Sequence, residues 1–437
     1  MRKVRRHGET HFSSGTLGRI RKKLPQPGRG FTLVELMIAM ALVGMLTAII
    51  YGLFSRTSDS LGDVEGMTEA LDRARFGLAQ VRNDLQAAGS QATPNSEVDP
   101  WVRPEQAGSR IQGVMAYDNW QNQTDFDDLD SEITDANPHS QFSGIVVVGA
   151  YDYPQSFFLS SLTGQVGEAD ANFEIRDNER GIGRLDRVDP FDVRVQDSID
   201  VDATRLSQNM TERLLRISDS SGYFQYAPVK ALTNGAPSSA GPYYFRDAGE
   251  LFGLDAYADD DVDFSGALID AFWYRVRADP QDGNNLQLVR HRLNAGNLIG
   301  ITDALTEMAL NDLTTSTVVI VDNVVDFRVW FDCADTGTGA VTGATWENEW
   351  NIPSGGDCLD DGEPHLARVA HIRLSVRTPG ENANRPHLQV VDGWEGFEEE
   401  NGAMITYNLA PSARGSASVV TVQASVEMTN FAMRGLR

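Results

Sequence analysis

Any chemistry in this chain has to come from its histidines, cysteines and clustered carboxylates, and their spacing limits what they can do. The seven histidines are His7, His11, His139, His291, His365, His371 and His387. They form no HExxH pair, and beyond residue 30 no two stand four apart. A helical zinc site with a neighbouring base is therefore not encoded. No G-x-S-x-G elbow and no phosphate-binding glycine loop occurs; Gly181-Ile182-Gly183-Arg184 is too short for one. An enzyme is not expected. Among the acidic clusters, Asp259, Asp261 and Asp263 alternate as the ligands of a calcium loop do. Phe264 then fills the turn position where such a loop needs glycine, so a solvated acidic turn competes with calcium there. The groups Asp125, Asp127, Asp128, Asp130 and Asp357, Asp360, Asp361, Glu363 read the same way. Calcium is the one cofactor for which the chain offers candidates.

One carboxylate has a sharper setting. From Phe31 to Phe54 the chain runs FTLVELMIAMALVGMLTAIIYGLF, with Glu35 as its only acidic or basic side chain. As a helix this run extends about 36 Å, enough to cross a hydrocarbon core of about 30 Å. Residues 1–30 carry nine Lys/Arg against one acid, whereas residues 31–437 carry 28 against 61, a net charge of −33. Bases before the apolar run and acids after it predict a single-pass protein with its N-terminus in the cytoplasm and residues 55–437 outside. A secretory signal would have a shorter apolar region with a cleavage site behind it, so the helix is expected to stay in the mature protein. The acidic bulk also argues against nucleic acid as a direct partner.

A glutamate one turn into an apolar helix costs about 2.5–3.5 kcal/mol on insertion scales, so it requires a partner. The residues around it, Arg29-Gly30-Phe31-Thr32-Leu33-Val34-Glu35-Leu36, resemble the prepilin signature of type IV pilin-like proteins. The resemblance implies that a membrane prepilin peptidase cuts after Gly30 and methylates the new amino group of Phe31. It also implies that Glu35 pairs with the N-terminal amine of a neighbouring subunit during assembly.

Beyond the membrane run, Val64, Leu71, Leu78 and Leu85 form one seven-residue series, and Met67, Ala74, Val81 and Ala88 form a second. Their spacing predicts an amphipathic helix, with Asp63, Glu65, Glu69, Asp72, Arg73, Arg75, Arg82 and Asp84 outward and Gly89 as its stop. A short coiled coil is the alternative use of that stripe. Gly44 and Gly52 offer places for bending or close helix contact. Strands are expected at 144–149, 271–276, 286–290, 317–321, 324–331, 369–376 and 418–428, the second and third as a hairpin around Asp279–Asn285. The expected architecture is α+β, type IV pilin-like: a long N-terminal helix on a mainly antiparallel sheet with large loop insertions. Its parts are a leader 1–30, a membrane half 31–54, an amphipathic half 55–89, and a globular domain 90–437 with an insertion at about 150–265. Because this domain lies outside the cytoplasm, Cys333 and Cys358, separated by a loop-like stretch, are a candidate disulfide.

The resemblance is best to PilW-type minor pilins. It is carried by Phe76, by Asp84-Leu85-Gln86-Ala87-Ala88-Gly89, by segments 273–276, 288–290, 321–329 and 371–376 in the family's order, and by Thr429-Asn430-Phe431 with Arg434 at the close. Thr429 stands where that family usually has arginine. The resemblance implies an inner-membrane protein, later in the pilus, that helps to prime pilus assembly. Its implied partners are the prepilin peptidase, other minor pilins, the major pilin, the assembly platform and membrane lipid. Two alternatives stay open: a type II secretion pseudopilin, which usually has a smaller soluble part than this one, and a pilus-tip adhesin. For the adhesin, Tyr223, Phe224, Tyr226, Tyr243, Tyr244 and Phe245 would supply an exposed aromatic face, though core packing is the use expected of them first.

Overall fold

The computed structural model describes residues 32–93, 111–115, 142–151, 156–163, 172–175, 213–218, 224–228, 231–234, 243–246, 264–282, 285–298, 307–334, 341–342, 358–359, 363–380, 406–407 and 416–432. The chain divides into two units, Met1–Gly62 and Asp63–Arg437. One helix, α1 (Leu33–Ala87), contributes residues to both.

In the first unit every described side chain of α1 whose exposure is resolved is exposed. From Leu33 to Phe54 the run is apolar on all sides but for Glu35, so no single face is available to fold against a core. It is the one helix among the described residues long and apolar enough to cross a membrane. Nothing lies within 4 Å of a Cβ placed on Gly44 or Gly52.

Among the described residues the second unit is mostly strand. Its elements run β1 (Val114–Met115), β2 (Ile145–Gly149), β3 (Phe157–Thr163), β4 (Asn172–Ile175), β5 (Leu214–Ser218), β6 (Phe224–Pro228), β7 (Ala231–Asn234), β8 (Tyr243–Arg246), β9 (Phe264–Ala278) and β10 (Leu286–Leu293). They continue with α2 (Glu307–Leu313), β11 (Thr314–Asp322), β12 (Val324–Ala334), β13 (Val341–Thr342), β14 (Ala367–Arg377), β15 (Thr406–Tyr407), β16 (Ala417–Glu427) and α3 (Thr429–Ala432). Among the described residues β1–β11 form one sheet and β12–β16 a second, and the ladders are antiparallel throughout. A long helix with antiparallel sheets is the α+β, pilin-like architecture expected from the sequence.

β9 organises the larger sheet because it is long enough to serve two sets of partners. Its first part pairs with β3 and β5, and from Asp270 onward it pairs with β2 and β10. The hairpin of β9 and β10 turns at the expected loop, where Asp279 accepts from the Gln281 N–H. β2, buried at all five positions, is the fully apolar strand its sequence suggests. Asn323, at φ 59°, turns the chain from β11 of one sheet into β12 of the other.

The second half of α1 rests on these sheets through Ala70, Ala74, Gly77, Val81, Asp84 and Leu85, with Ala88 just past its end, all buried. This corrects the expected stripe in three places. Val64 and Met67 are exposed, at 59% and 38%. Asp84, placed outward by the heptad pattern, is buried at 6%. The reason is steric: the helix approaches through small residues, and a Cβ added to Gly77 would lie 2.3 Å from Val321 and 3.0 Å from Leu374. Phe224 and Tyr226 are also buried, so neither joins an exposed aromatic face. Tyr223 lies outside the described residues, as do the side chains of Tyr243, Tyr244 and Phe245.

Candidate functional site

Two sites on α1 are built from specific polar groups, one at each end. At the start, the Thr32 N–H and Thr32 hydroxyl both donate to Glu35 Oε2, at 3.0 and 3.1 Å, while the Glu35 N–H donates to Thr32 Oγ1 at 3.3 Å. This is a capping box: the side chains of positions i and i+3 satisfy each other's otherwise orphaned helix N–H groups. Its signature, Thr-x-x-Glu ahead of an apolar run, is written in the sequence, and the pattern reading of Glu35 overlooked Thr32. The carboxylate also sits at the positive end of the helix dipole. Among the described residues Glu35 Oε1 has no partner, so the group is held in place and still open to one. Gly30 and Phe31, the expected cleavage and methylation positions, lie outside the described residues.

At the other end, Asp84 reaches from α1 into the large sheet. Tyr274 on β9 donates its hydroxyl to Asp84 Oδ2 at 2.6 Å, and Arg290 on β10 meets the same oxygen at 2.8 Å. Gln80, one turn back, donates to Oδ1 at 3.4 Å. Burial pushes the Asp84 carboxyl above its usual range, with Arg290 and then Tyr274 opposing the rise. The Tyr274 and Tyr151 phenols are pushed well above theirs, first by burial and then by the Asp84 charge. Arg290 in turn lies over the Phe272 ring, 3.4 Å from its centroid. Hydrogen bonds from Tyr274 and Arg290 are what make a buried carboxylate tolerable.

The helix then stops against the sheet. Gly89, at φ +75°, donates its N–H to Val148 O on β2 at 2.9 Å, and Ala150 N–H returns a bond to Ser90 O at 3.1 Å. Helix ends leave carbonyls without partners. Here the Asn430 side-chain amide on α3 donates toward Gln86, Ala87 and Ala88 O at 3.3, 3.4 and 3.0 Å. Closeness is allowed by glycine: a Cβ on Gly149 would come 2.7 Å from Ala87 O, and one on Gly113 2.5 Å from Gly89 Cα.

The remaining expected residues fall elsewhere. Cys333 at the end of β12 is joined to Cys358, with Cα atoms 5.9 Å apart. Asp259, Asp261 and Asp263 lie outside the described residues, as do Asp125, Asp127, Asp128, Asp130, Asp357, Asp360 and Asp361. Among the described residues no three His, Cys, Asp or Glu side chains gather to hold a metal. His371 spans Ser425 Oγ at 2.8 Å and Asp332 at 2.9 Å while stacked on Trp330, a cross-strand ladder over β12, β14 and β16.

Comparison with known proteins bears on the first of the two sites. The family description "Prokaryotic N-terminal methylation motif" matches residues 28–51. The chain is similar to the pilin-like protein PilA3 of Thermus thermophilus, 38% identical over 63 residues that make up 14% of this chain and 27% of that protein. It thus spans about a quarter of the length of the curated relative it matches. No solved structure matches. The motif and the relative support a type IV pilin-like N-terminal segment, as in a pilin or pseudopilin, and the apolar helix suits a membrane anchor.

Proposed function

We propose that this chain is a minor pilin that helps to initiate or prime type IV pilus assembly. The carrying observation is the methylation motif over residues 28–51 on a helix whose first half is apolar on every side. Prepilin peptidase removes residues 1–30 and methylates Phe31, leaving a subunit with its N-terminus in the cytoplasm and the second unit outside. In the membrane Glu35 is held by Thr32, and on assembly its open oxygen accepts the Phe31 amine of a neighbour. Burial of the apolar helices against one another removes them from lipid as the filament grows.

The PilW-type reading draws support from the places where its motif residues act. Asp84 fastens α1 to β9 and β10, Gly89 stops it, and Asn430 covers its last carbonyls. A soluble part of roughly 350 residues also favours a minor pilin over a pseudopilin. The partners that follow are other minor pilins, the major pilin and the assembly platform.

Deleting the chain and counting surface pili tests this. The expected result is loss of pili, restored by the wild-type chain and not by Gly30→Arg. Normal pili with failed protein secretion would replace the proposal with a pseudopilin, and normal pili with lost adhesion would replace it with a tip adhesin. Intact-mass analysis of the mature chain is expected to find N-methylated Phe31; an N-terminus upstream of Gly30 would refute the processing.

A further inference from the structure

The smaller sheet brings a serine, a histidine and an aspartate together from three neighbouring strands. In its register Trp330 on β12 stands opposite His371 on β14, and His371 stands opposite Ser425 on β16. Opposite residues of a ladder share a face, and so does a residue two positions along a strand, which adds Asp332 to the row. Phe331, Ala370, Ile372 and Val426 alternate with these residues and are buried in the core. The row therefore lies on the face turned away from the core. Ser425 is exposed there, while the side chains of His371 and Asp332 are each 15% exposed.

Each ring nitrogen of His371 has a distinct task. Nε2 lies 2.9 Å from Asp332 Oδ2, and Nδ1 lies 2.8 Å from Ser425 Oγ. A carboxylate can only accept, so in the neutral ring Nε2 carries the proton and Nδ1 keeps its lone pair for the Ser425 hydroxyl. Stacking on Trp330, with ring centroids 5.4 Å apart and planes 18° from parallel, holds the imidazole in that orientation. A hydroxyl bonded to a base, and the base oriented by a third group, is the arrangement that activates a serine. It is recognised by geometry and role, and no local sequence motif announces it because Asp332, His371 and Ser425 come from separate strands.

We propose that Ser425 is an activated nucleophile that takes an acyl group from small activated esters, with His371 as its general base and Asp332 as a positioning residue. Ser425 Oγ attacks the ester carbonyl carbon while its proton passes to His371 Nδ1. Asp332 then faces an imidazolium, whose charge it stabilises. The bond from the carbonyl carbon to the leaving oxygen breaks, that oxygen takes the proton back from His371, and the products are acyl-Ser425 and a free alcohol. Because Ser425 is exposed, binding contributes little, and esters with good leaving groups suit it best. The activity is separate from the assembly reading and would belong to the second unit of a pilin or a pseudopilin alike.

The test treats the full-length chain in detergent with p-nitrophenyl acetate and follows acetylation of each serine by peptide mapping. Ser425 is expected to be acetylated far faster than Ser316, an exposed serine on β11 whose ladder partner is Arg292. Equal rates at the two serines would overturn the proposal, and this comparison needs no variant to fold. In His371→Gln the Ser425 rate should fall by about a hundredfold, the scale of general-base catalysis, while the Ser316 rate stays as it was. Asp332→Asn should also lose most of the Ser425 rate and Asp332→Glu should keep most of it, since a carboxylate and not bulk is required. Retention of the Cys333–Cys358 disulfide and of the unfolding midpoint checks that these variants fold. A Ser425 rate unchanged in His371→Gln would reduce the row to a structural ladder, and equal losses in the two Asp332 variants would remove Asp332 from the mechanism.

Discussion

The first half of α1, Leu33 to Gly62, and the second, Asp63 to Ala87, share one backbone geometry and differ in what covers them. Leu33 is 74% exposed and Phe54 71%, whereas Leu85 is 1% and Val81 0% exposed. From Leu33 to Phe54 the first half is mainly apolar, and its described side chains are exposed. The second half turns small residues inward, and Gly77 brings the helix backbone close to Val321. Large apolar side chains on every side ask for a solvent of lipid or of other helices. A narrow stripe of alanine and glycine asks for one matching sheet, and the buried charge of Asp84 makes that match specific. The same helix can therefore be free to assemble at one end and fixed at the other.

The largest test of that contrast is Asp84→Ala. Leaving Arg290 buried without its carboxylate is expected to cost about 3–5 kcal/mol of stability in the second unit, measured by denaturant unfolding of the full chain in detergent. Asp72→Ala, on the exposed side of the same helix segment, should stay within about 0.5 kcal/mol. Equal effects from the two would break the comparison. Next is Gly77→Ala, whose new Cβ would overlap Val321; overpacking of this kind costs about 1–3 kcal/mol. Gly52→Ala meets open space in the first half, and helix propensity alone predicts a gain of up to about 1 kcal/mol.

What the sequence made legible follows the same division. The first half of α1 was readable because Phe31 to Phe54, 24 residues with one charge, has few other uses, and Thr-x-x-Glu was there to be found. The strands expected at 144–149, 271–276, 286–290, 324–331 and 369–376 were readable from apolar runs and turn residues. The burial of Asp84 was not, because heptad counting weighs only apolar positions and Tyr274 and Arg290 lie about two hundred residues away. Nor was the length of β9: its early part, Phe264–Ile269, follows an acidic cluster and pairs with strands that carry no clean alternation. Asn430 could be noted as a motif residue, but its task depends on where a distant helix ends.

Acid should find the sheet before it finds the first half of α1. His291 on β10 is buried against Trp273, bonded to Thr317 and flanked by Arg275 and Arg277, and its pKa is lowered from 6.5 to about 3, mostly by burial and then by those arginines. The unfolded chain takes up this proton near pH 6.5 and the folded one only near pH 3. The neutral histidine's contribution is complete above pH 6.5 and is lost as pH falls toward 3, with a slope of at most about 1.4 kcal/mol per pH unit. Asp84 opposes it, because a raised carboxyl pKa makes the fold bind the proton more readily than the unfolded chain. His291→Gln should flatten the loss between pH 6 and pH 4 in unfolding curves; an unchanged slope would assign the acid sensitivity to other groups.

The smallest expected effect separates a helix that ends on the protein from one that merely runs out. Asn430 donates one amide group toward three carbonyls, and the shortest of these bonds, 3.0 Å to Ala88 O, is of ordinary strength. Removing it in Asn430→Ala should cost about 0.5–1.5 kcal/mol, since Gly89 still closes the turn through Val148. Asn430→Asp should cost more than the alanine variant, because a carboxylate cannot donate and would face the negative end of the helix dipole. The order Asp worse than Ala is the useful outcome. A site that only filled space would rank the near-isosteric aspartate as the milder change, and that ranking would reduce the contact to packing. Hydrogen exchange at Ala88 and Gly89 reads the effect locally, where faster exchange in both variants, greater in Asn430→Asp, is expected.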